Sequence, residues 1–218
     1  MQDTFPAPWQ LTGRGLIIVL KGNALATLGD PCVPRHVKGS LKSPLRVLML
    51  VDYASSNAGP YRELLYLPGS IELLGKRRFT ISNIFVSSMA SVVNGRANWG
   101  IPKNLADFDW ETQPDGSQRV CVRSEGKAMF EVNWQGMGFR FPVSTRLAPK
   151  PFKTLVQQWE GQCFTYSPTA AGRARFARIG GIESSSGLFP NIDSHEVLTA
   201  FEIADFQMTF PIPNIEAL

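Results

Sequence analysis

The chain has few residues of the kinds that bind metals or act as catalytic bases, with only two histidines and three cysteines among its 218 residues. His36 and His195 lie far apart, outside the spacings of H-E-x-x-H and H-x(3–5)-H zinc motifs. No G-x-S-x-G turn is present that could place a serine nucleophile beside either histidine. These shortages argue against a zinc site and against a serine hydrolase, and we predict that no metal is bound.

Long apolar runs and paired cysteines are also missing. The longest apolar runs, such as residues 16–20, have the length of a strand and are too short to span a membrane. The first residues contain no basic region followed by an apolar one. Cys32, Cys121 and Cys163 include no C-x-x-C pair, so each is predicted to be a reduced, buried side chain. We therefore expect a cytoplasmic protein without a secretion signal or a membrane span.

Charge and glycine patterns give little support for nucleotide or nucleic-acid partners. The formal net charge of +4 is mild, and the basic residues are scattered apart from the Lys-Arg-Arg run at 76–78. That run follows Gly75 between two apolar stretches and is predicted to be a solvated hairpin turn. The glycines at 136–138 and 180–181 lack the strand-to-helix context of a Walker loop or a dinucleotide fingerprint. We expect no cofactor and no nucleic-acid partner.

Short apolar runs separated by Gly, Pro, Asn and Asp dominate the chain, which is typical of antiparallel β-sheet. The clearest predicted hairpin joins residues 118–123 to 128–134 through the Ser-Glu-Gly-Lys turn at 124–127. Other strands are predicted at 15–20, 46–53, 63–67, 79–86, 173–179 and 200–210. Two short helices are predicted, at 87–94 and 151–159. With no repeat or linker, residues 1–218 are predicted to form a single domain of the α+β class, predominantly antiparallel β, with a closed or nearly closed β barrel and a few peripheral helices.

The most informative segment is residues 95–106, which read GRANWGIPKNLA. It places Lys103 among apolar neighbours that include Trp99, Ile101 and Leu105. Desolvation there would lower the pKa of the lysine, and a neutral amine is what Schiff-base chemistry on a carbonyl substrate requires. The alternative is an exposed loop lysine that extends from an apolar patch into solvent.

A second segment, GPYREL at residues 59–64, lies upstream of the lysine. Together the two segments resemble those of the acetoacetate decarboxylase superfamily, in which G-x-Y-x-E supplies an active-site carboxylate and G-R-x(5)-P-K supplies the imine-forming lysine. Glu63 and Lys103 occupy those positions in this sequence. Two further segments resemble the ends of that family's domain, PWQLTGRGL at 8–16 and FQMTFP at 206–211. Within the first, Arg14 is similar to an arginine that lies near the substrate in the decarboxylase. The resemblance implies a barrel fold and is compatible with a homo-oligomer.

The sequence departs from the decarboxylase at charged positions. Asn104 stands where the decarboxylase has a second lysine, Ala97 replaces a glutamate, and a further carboxylate position is apolar near Leu48. The opening Pro-Trp and Gly-Arg pairs are also similar to those of the plant neoxanthin-deficiency proteins, whose members need not keep the lysine. The pocket is therefore expected to carry less charge than that of the decarboxylase.

From this resemblance we expect a cofactor-independent Schiff-base lyase that decarboxylates a β-keto acid or related oxo acid, with Lys103 as nucleophile and Glu63 orienting the substrate or moving a proton. A purely structural glutamate that binds backbone amides is the alternative for Glu63.

The remaining residues of the predicted site have supporting roles. Trp99 and Ile101 are expected to shield the amine from water, and Asn104 to line the substrate site. Arg14 and Arg96 are candidates for electrostatic support, although Arg96 could instead brace the turn through backbone carbonyls.

Two other functions remain open. The same superfamily includes enzymes that use the imine for aldol condensation, dehydration or cyclisation. A protein of another class would be a non-catalytic barrel that binds an apolar, isoprenoid-like ligand. Lys103 separates these alternatives, because only a catalytic chain would form a covalent imine there.

Overall fold

The computed structural model describes residues 3–22, 28–29, 31–32, 34, 41, 45–73, 75–149, 153–185 and 187–217. One long helix and fifteen strands are named in this part of the chain. In chain order they are β1 (Trp9–Lys21), β2 (Leu45–Ser55), β3 (Tyr61–Leu67), β4 (Gly69–Leu73), β5 (Lys76–Thr80), β6 (Asn83–Val86), α1 (Met89–Trp99), β7 (Lys103–Leu105), β8 (Asp107–Thr112), β9 (Gln118–Ser124), β10 (Lys127–Ser144), β11 (Leu155–Trp159), β12 (Gln162–Tyr166), β13 (Thr169–Ser184), β14 (Val197–Phe210) and β15 (Asn214–Ala217). Short 3₁₀ turns cover Thr145–Leu147 and Ser194–Glu196.

Ten strands form one sheet in the order β7-β6-β3-β2-β1-β14-β13-β10-β9-β8, and it curls into a nearly closed barrel. Its pairs are antiparallel except for β6 with β7. A second sheet has the order β15-β12-β11-β5-β4, with one parallel pair, β11 with β5. The predicted fold class, a mainly antiparallel β barrel with little helix, is confirmed. No helix in the described ranges is long and apolar enough to cross a membrane.

Residues 15–20 of β1, residues 46–53 of β2 and all of β3 are buried or half-buried on both faces, and they read as largely apolar runs. Alternate residues belong to different cores because successive side chains point to opposite faces. Leu48, Leu50 and Leu64 pack in one core, while Val51 and Glu63 lie on the other face. We call this second face the site face. Its apolar residues pack with α1 and with β12 of the second sheet.

The predicted hairpin is confirmed, and a helix is present where the first one was predicted, but it extends beyond the predicted end at residue 94. Strands β9 and β10 pair around Glu125 and Gly126, whose φ values of 51° and 75° suit a tight turn, and β10 extends beyond the predicted 134 to Ser144. The helix begins after Ser88, whose side chain accepts a hydrogen bond from Ser91 N, and extends to Trp99.

Three predictions about local structure are wrong. Residues 155–159 form strand β11 where a helix was predicted, because pairing with β12 and β5 outweighs a weak helical pattern; residues 151–152 lie outside the described part of the chain. The predicted strand 79–86 is two strands, β5 and β6, which belong to different sheets. Residues 76–78 begin β5, and the turn before them includes Gly75 at φ 68°.

Candidate active site

Lys103 is brought beneath α1 by a reversal of the chain. The helix ends at Gly100, which has a φ of 63° and donates its N–H to Arg96 O at 2.9 Å. This left-handed conformation is one that glycine adopts at little cost. Lys103 then begins β7, paired with Ile84 of β6 in parallel register. The glycine therefore returns the chain from the helix to the edge of the sheet, with the lysine on the buried side.

The amine of Lys103 is buried and has three polar contacts. Its Nζ donates to Glu63 Oε2 at 2.8 Å, to Ser91 Oγ at 2.9 Å and to Tyr61 OH at 3.4 Å. The residue is only 4% exposed, and its Nζ lies 5.0 Å from the centroid of the Tyr61 ring. The three acceptors match the three protons of an ammonium group.

Glu63 is as deeply buried as the lysine, at 3% exposure. Its Oε1 accepts a hydrogen bond from Tyr53 OH at 3.1 Å. Tyr61 and Glu63 are two residues apart on β3 and therefore share the site face. Tyr53 of β2 pairs directly with Tyr61 across the strands. The carboxylate is thus held by Tyr53 of β2 and by Lys103 of β7.

The ion pair sets the charge state of the site. Burial by itself lowers the pKa of Lys103, but the Glu63 carboxylate and the Tyr61 phenol more than offset it, so the pKa lies above its ordinary value. Burial is also the main reason why the pKa of Tyr61 rises to about 12, and why that of Tyr53 lies well above its ordinary value. The lysine is therefore an ammonium at neutral pH. The expectation of a lysine pKa lowered by desolvation is wrong for this arrangement, because the apolar surroundings also enclose a carboxylate.

Aromatic side chains enclose the cluster. Trp99 and Ile101 are each 2% exposed and line the space around Lys103. Trp99 donates Nε1 to Pro211 O at 2.7 Å, and its ring packs edge-on against Trp9 with centroids 5.2 Å apart. The remaining cavity is about 20 Å³, room for about one water molecule. The wall is apolar as predicted, but Leu105 is 47% exposed and is not part of it.

Three residues predicted for the site lie outside this cavity. Arg14 lies on the opposite face of the sheet, because it occupies an even position of β1, and it binds Asp52 at 3.0 Å. Arg96 donates its Nε to Lys103 O at 2.9 Å, so it braces the backbone of the turn. Asn104 is exposed and accepts from Arg96 Nη2 at 3.1 Å. The cavity brings together Lys103, Glu63, Trp99 and Ile101. It does not include Arg14, Arg96 or Asn104.

The sequence prediction missed Tyr53, Ser91 and the contact made by Tyr61. Tyr61 could have been found, because a residue two positions before Glu63 shares its strand face. Tyr53 required the register between β2 and β3, and Ser91 required the position of α1 over β7. His36 lies outside the described residues, and among those described no group of three or more His, Cys, Asp or Glu could hold a metal.

Comparisons with known proteins agree with this architecture. No curated protein sequence matches the chain. An acetoacetate decarboxylase from Legionella pneumophila is 14% identical, with a TM-score of 0.74 over 97% of this chain and 88% of that chain. MppR, an enduracididine biosynthesis enzyme solved with pyruvate, is 12% identical, with a TM-score of 0.66 over 96% and 90%. An acetoacetate decarboxylase-like enzyme from Sphingomonas wittichii is 12% identical, with a TM-score of 0.68 over 97% and 94%.

At these identities the likeness to solved structures concerns the fold. Family membership is shown by the sequence. Residues 37–166, more than half of the chain, match the model of the acetoacetate decarboxylase (ADC) family. This span contains β3 with Glu63 and the α1–β7 segment with Lys103. The chain belongs to the acetoacetate decarboxylase family.

Proposed function

We propose that this protein is a cofactor-independent Schiff-base lyase in which Lys103 condenses with the ketone of a β-keto acid or related oxo acid. The observation that carries the proposal is a buried lysine whose Nζ lies 2.8 Å from a buried carboxylate, that of Glu63. Such a pair is expensive to bury, since each charge loses its hydration. A lysine and an acid held together in an apolar pocket are the groups that imine formation uses.

Proton transfer within the pair would start the reaction. Lys103 is protonated at neutral pH, so it must lose a proton to Glu63 before its nitrogen can attack the ketone carbon. As the carbinolamine forms, a proton passes from its nitrogen to the former ketone oxygen. The protonated Glu63 would then give its own proton to that hydroxyl group, which leaves as water and yields the iminium. The hydrogen bond from Tyr53 to Glu63 keeps one carboxylate oxygen in place, while the other oxygen faces Nζ.

The iminium then accepts an electron pair. In a β-keto acid the bond to the carboxylate carbon breaks, carbon dioxide leaves, and the pair forms an enamine with the nitrogen of Lys103. Protonation at carbon and addition of water release the ketone and regenerate the free lysine. No cofactor is required, because the protonated imine is itself the electron sink. We propose further that residues 1–218 act as one domain, supported by the ten-stranded sheet that joins β1 to β14.

An imine-dependent condensation or dehydration is the second candidate. One structure of MppR contains the condensation product of pyruvate and imidazole 4-carboxaldehyde, and that protein has a similar fold over 97% of this chain. The same lysine and carboxylate would serve either reaction, because both pass through an imine. A non-catalytic barrel for an apolar ligand would keep Lys103 in its ion pair and form no imine.

Borohydride trapping tests the proposal. The protein is incubated with acetoacetate or pyruvate, reduced, digested and analysed by mass spectrometry. We expect label on Lys103 and none there in Lys103→Arg, because a guanidinium is a very poor nucleophile. Lys127→Arg, at the exposed β9–β10 turn, is the matched control and should label as the wild type does. Label on another lysine, or equal labelling of Lys103→Arg, would refute the mechanism, and no label with any oxo acid would favour the ligand-binding barrel.

A further inference from the structure

A second and much larger cavity lies beside the site. Its volume is about 440 Å³, within the range of small-molecule pockets. It lies among β1, β2, β13, β14 and the end of β10, and no charged residue is among the described residues that line it. Its lining includes Val51, Ala174, Ile203, Phe206 and Met208. Such a lining suits a hydrocarbon group and offers no partner for a charged one.

This cavity opens on the same face of the sheet as Lys103. Val51 lines the large cavity and pairs directly with Glu63 on the neighbouring strand. Tyr53, two residues further along β2, lines the small cavity around Lys103. Residues two apart on a strand share a face, so the two cavities are neighbours along β2.

A bulge in β14 keeps the cavity apolar. Ile203 pairs with Gly15 and Phe206 pairs with Gly13, so β14 has two residues between these pairs where β1 has one. Regular alternation from Ile203 would place Asp205 on the site face. Asp205 has a φ of 52°, and the bulge places Phe206 on that face in its stead.

Phe206 stands between the two cavities. Its ring packs edge-on against Tyr53, with centroids 5.8 Å apart, and Tyr53 in turn binds Glu63. Gly172 makes room for it, because a Cβ at position 172 would lie 3.0 Å from both Cα and Cβ of Phe206. Phe206, followed by Tyr53, therefore separates the large cavity from the amine.

We propose that the 440 Å³ cavity binds the hydrocarbon chain of the oxo acid, with Phe206 as the gate between chain and amine. The inference rests on the proposed function of Lys103. The space beside the amine is about 20 Å³, room for about one water molecule, so the body of any substrate must extend elsewhere. The neighbouring apolar cavity is the space that the fold provides. The substrate class is thus a medium-chain oxo acid and not one of the size of acetoacetate.

The dependence of imine trapping on the chain length of the oxo acid tests whether the cavity binds the hydrocarbon chain. Labelling of Lys103 is compared for acetoacetate, 3-oxohexanoate, 3-oxooctanoate and 3-oxodecanoate. Each methylene buried in the cavity should raise labelling efficiency about fourfold, so acetoacetate and 3-oxohexanoate should differ by about tenfold or more. Ala174→Leu adds volume inside the cavity and should lower the ratio of 3-oxooctanoate to acetoacetate labelling by about tenfold. Ala128→Leu, on the exposed start of β10, is the matched control and should keep the wild-type ratio.

The outcomes separate this inference from the proposed function. Lys103 labelled equally by all four acids, with the ratio unchanged in Ala174→Leu, overturns the chain-binding inference and leaves the Schiff-base proposal standing. No labelling by any acid refutes the Schiff-base proposal and the inference with it. The molar mass is measured for each variant by sedimentation. A wild-type oligomer that dissociates in Ala174→Leu, together with a flat chain-length series, would show that a second copy of the chain covers the cavity, which also overturns the inference.

Discussion

Gly95 of α1 lies directly against the side chain of Lys103. A Cβ at position 95 would come within 2.7 Å of Lys103 Cδ and 2.8 Å of Cε, distances at which one of the two must move. The lysine has little freedom to yield, because its Nζ is held by Glu63 and Ser91. The glycine is therefore a positioning residue that leaves the lysine its path to the carboxylate.

Replacing this glycine should impair the amine without harming the helix. Gly95→Ala favours helix formation by about 1 kcal/mol on propensity alone, so a loss of imine trapping would report the displacement of Lys103. We expect trapping to fall by about tenfold, the effect of roughly 1.4 kcal/mol. Borohydride labelling combined with circular dichroism measures both effects. Ala97→Gly, two residues along on the exposed side of α1, lowers helix propensity and should leave the labelling intact. Unchanged labelling in Gly95→Ala would contradict the packing argument.

The pH dependence of imine formation should report the ion pair. In the wild type, Glu63 raises the pKa of Lys103, so labelling should increase as the pH rises toward the alkaline range. Glu63→Gln removes the carboxylate charge. Burial then dominates, and burial lowers the pKa of the lysine. The labelling profile of Glu63→Gln should therefore shift to lower pH, with a lower maximum because the proton acceptor is lost. An unshifted or alkaline-shifted profile would show that Glu63 does not set the charge of Lys103.

Buried ion pairs also have a signature in stability. Lys103→Met leaves the Glu63 carboxylate buried without its cation, and we expect a loss of about 3–5 kcal/mol in the free energy of unfolding. The double variant Lys103→Met/Glu63→Leu removes both charges and should recover a large part of that loss. Urea denaturation of the wild type, both single variants and the double variant gives the coupling. Simple additivity of the two single changes would mean that the pair is solvated in solution.

Stability should fall in alkaline solution. Lys103 has a raised pKa in the folded protein, so its contribution is complete below the ordinary lysine pKa and is lost as the pH rises through the folded value. Tyr61 acts in the same direction, because its pKa of about 12 means that the folded protein resists its ionisation. We expect the melting temperature to decline above about pH 10, the ordinary tyrosine pKa. In Tyr61→Phe the decline should be less steep, and a slope equal to that of the wild type would contradict the assignment.

The meeting of Lys103 and Glu63 in one buried cavity agrees with the sequence prediction because both lie in short motifs whose apolar neighbours favour burial. The prediction did not extend to the charge of the amine. Burial and the carboxylate act on the lysine pKa in opposite directions, and which one dominates depends on a 2.8 Å contact that no residue pattern specifies.

Long-range pairing decided the other differences. The face on which Arg14 lies follows from strand alternation, but its distance from Glu63 depends on the order of β1, β2 and β3 in the sheet. Residues 155–159 have apolar spacing that suits a helix as well as a strand, and their pairing with β12 decides between them. The face on which Phe206 lies depends on a bulge in β14. The sequence signals for bulges are weak at a non-glycine residue such as Asp205.

Asn104 stands where the decarboxylase has a second lysine. Restoring that lysine would lower the pKa of Lys103 if the two amines faced each other, since like charges disfavour ionisation. Lys103 and Asn104 are consecutive on β7, so their side chains point to opposite sides, and residue 104 is exposed beside Arg96. Unit charges about 4 Å apart in water interact by only about 1 kcal/mol, and the added amine would turn away from Arg96 into solvent. Asn104→Lys should therefore leave the pH profile of labelling close to that of the wild type, with Asn104→Gln as the uncharged control of similar length. A clear shift of Asn104→Lys to lower pH, absent in Asn104→Gln, would show that β7 turns residue 104 toward the amine in solution.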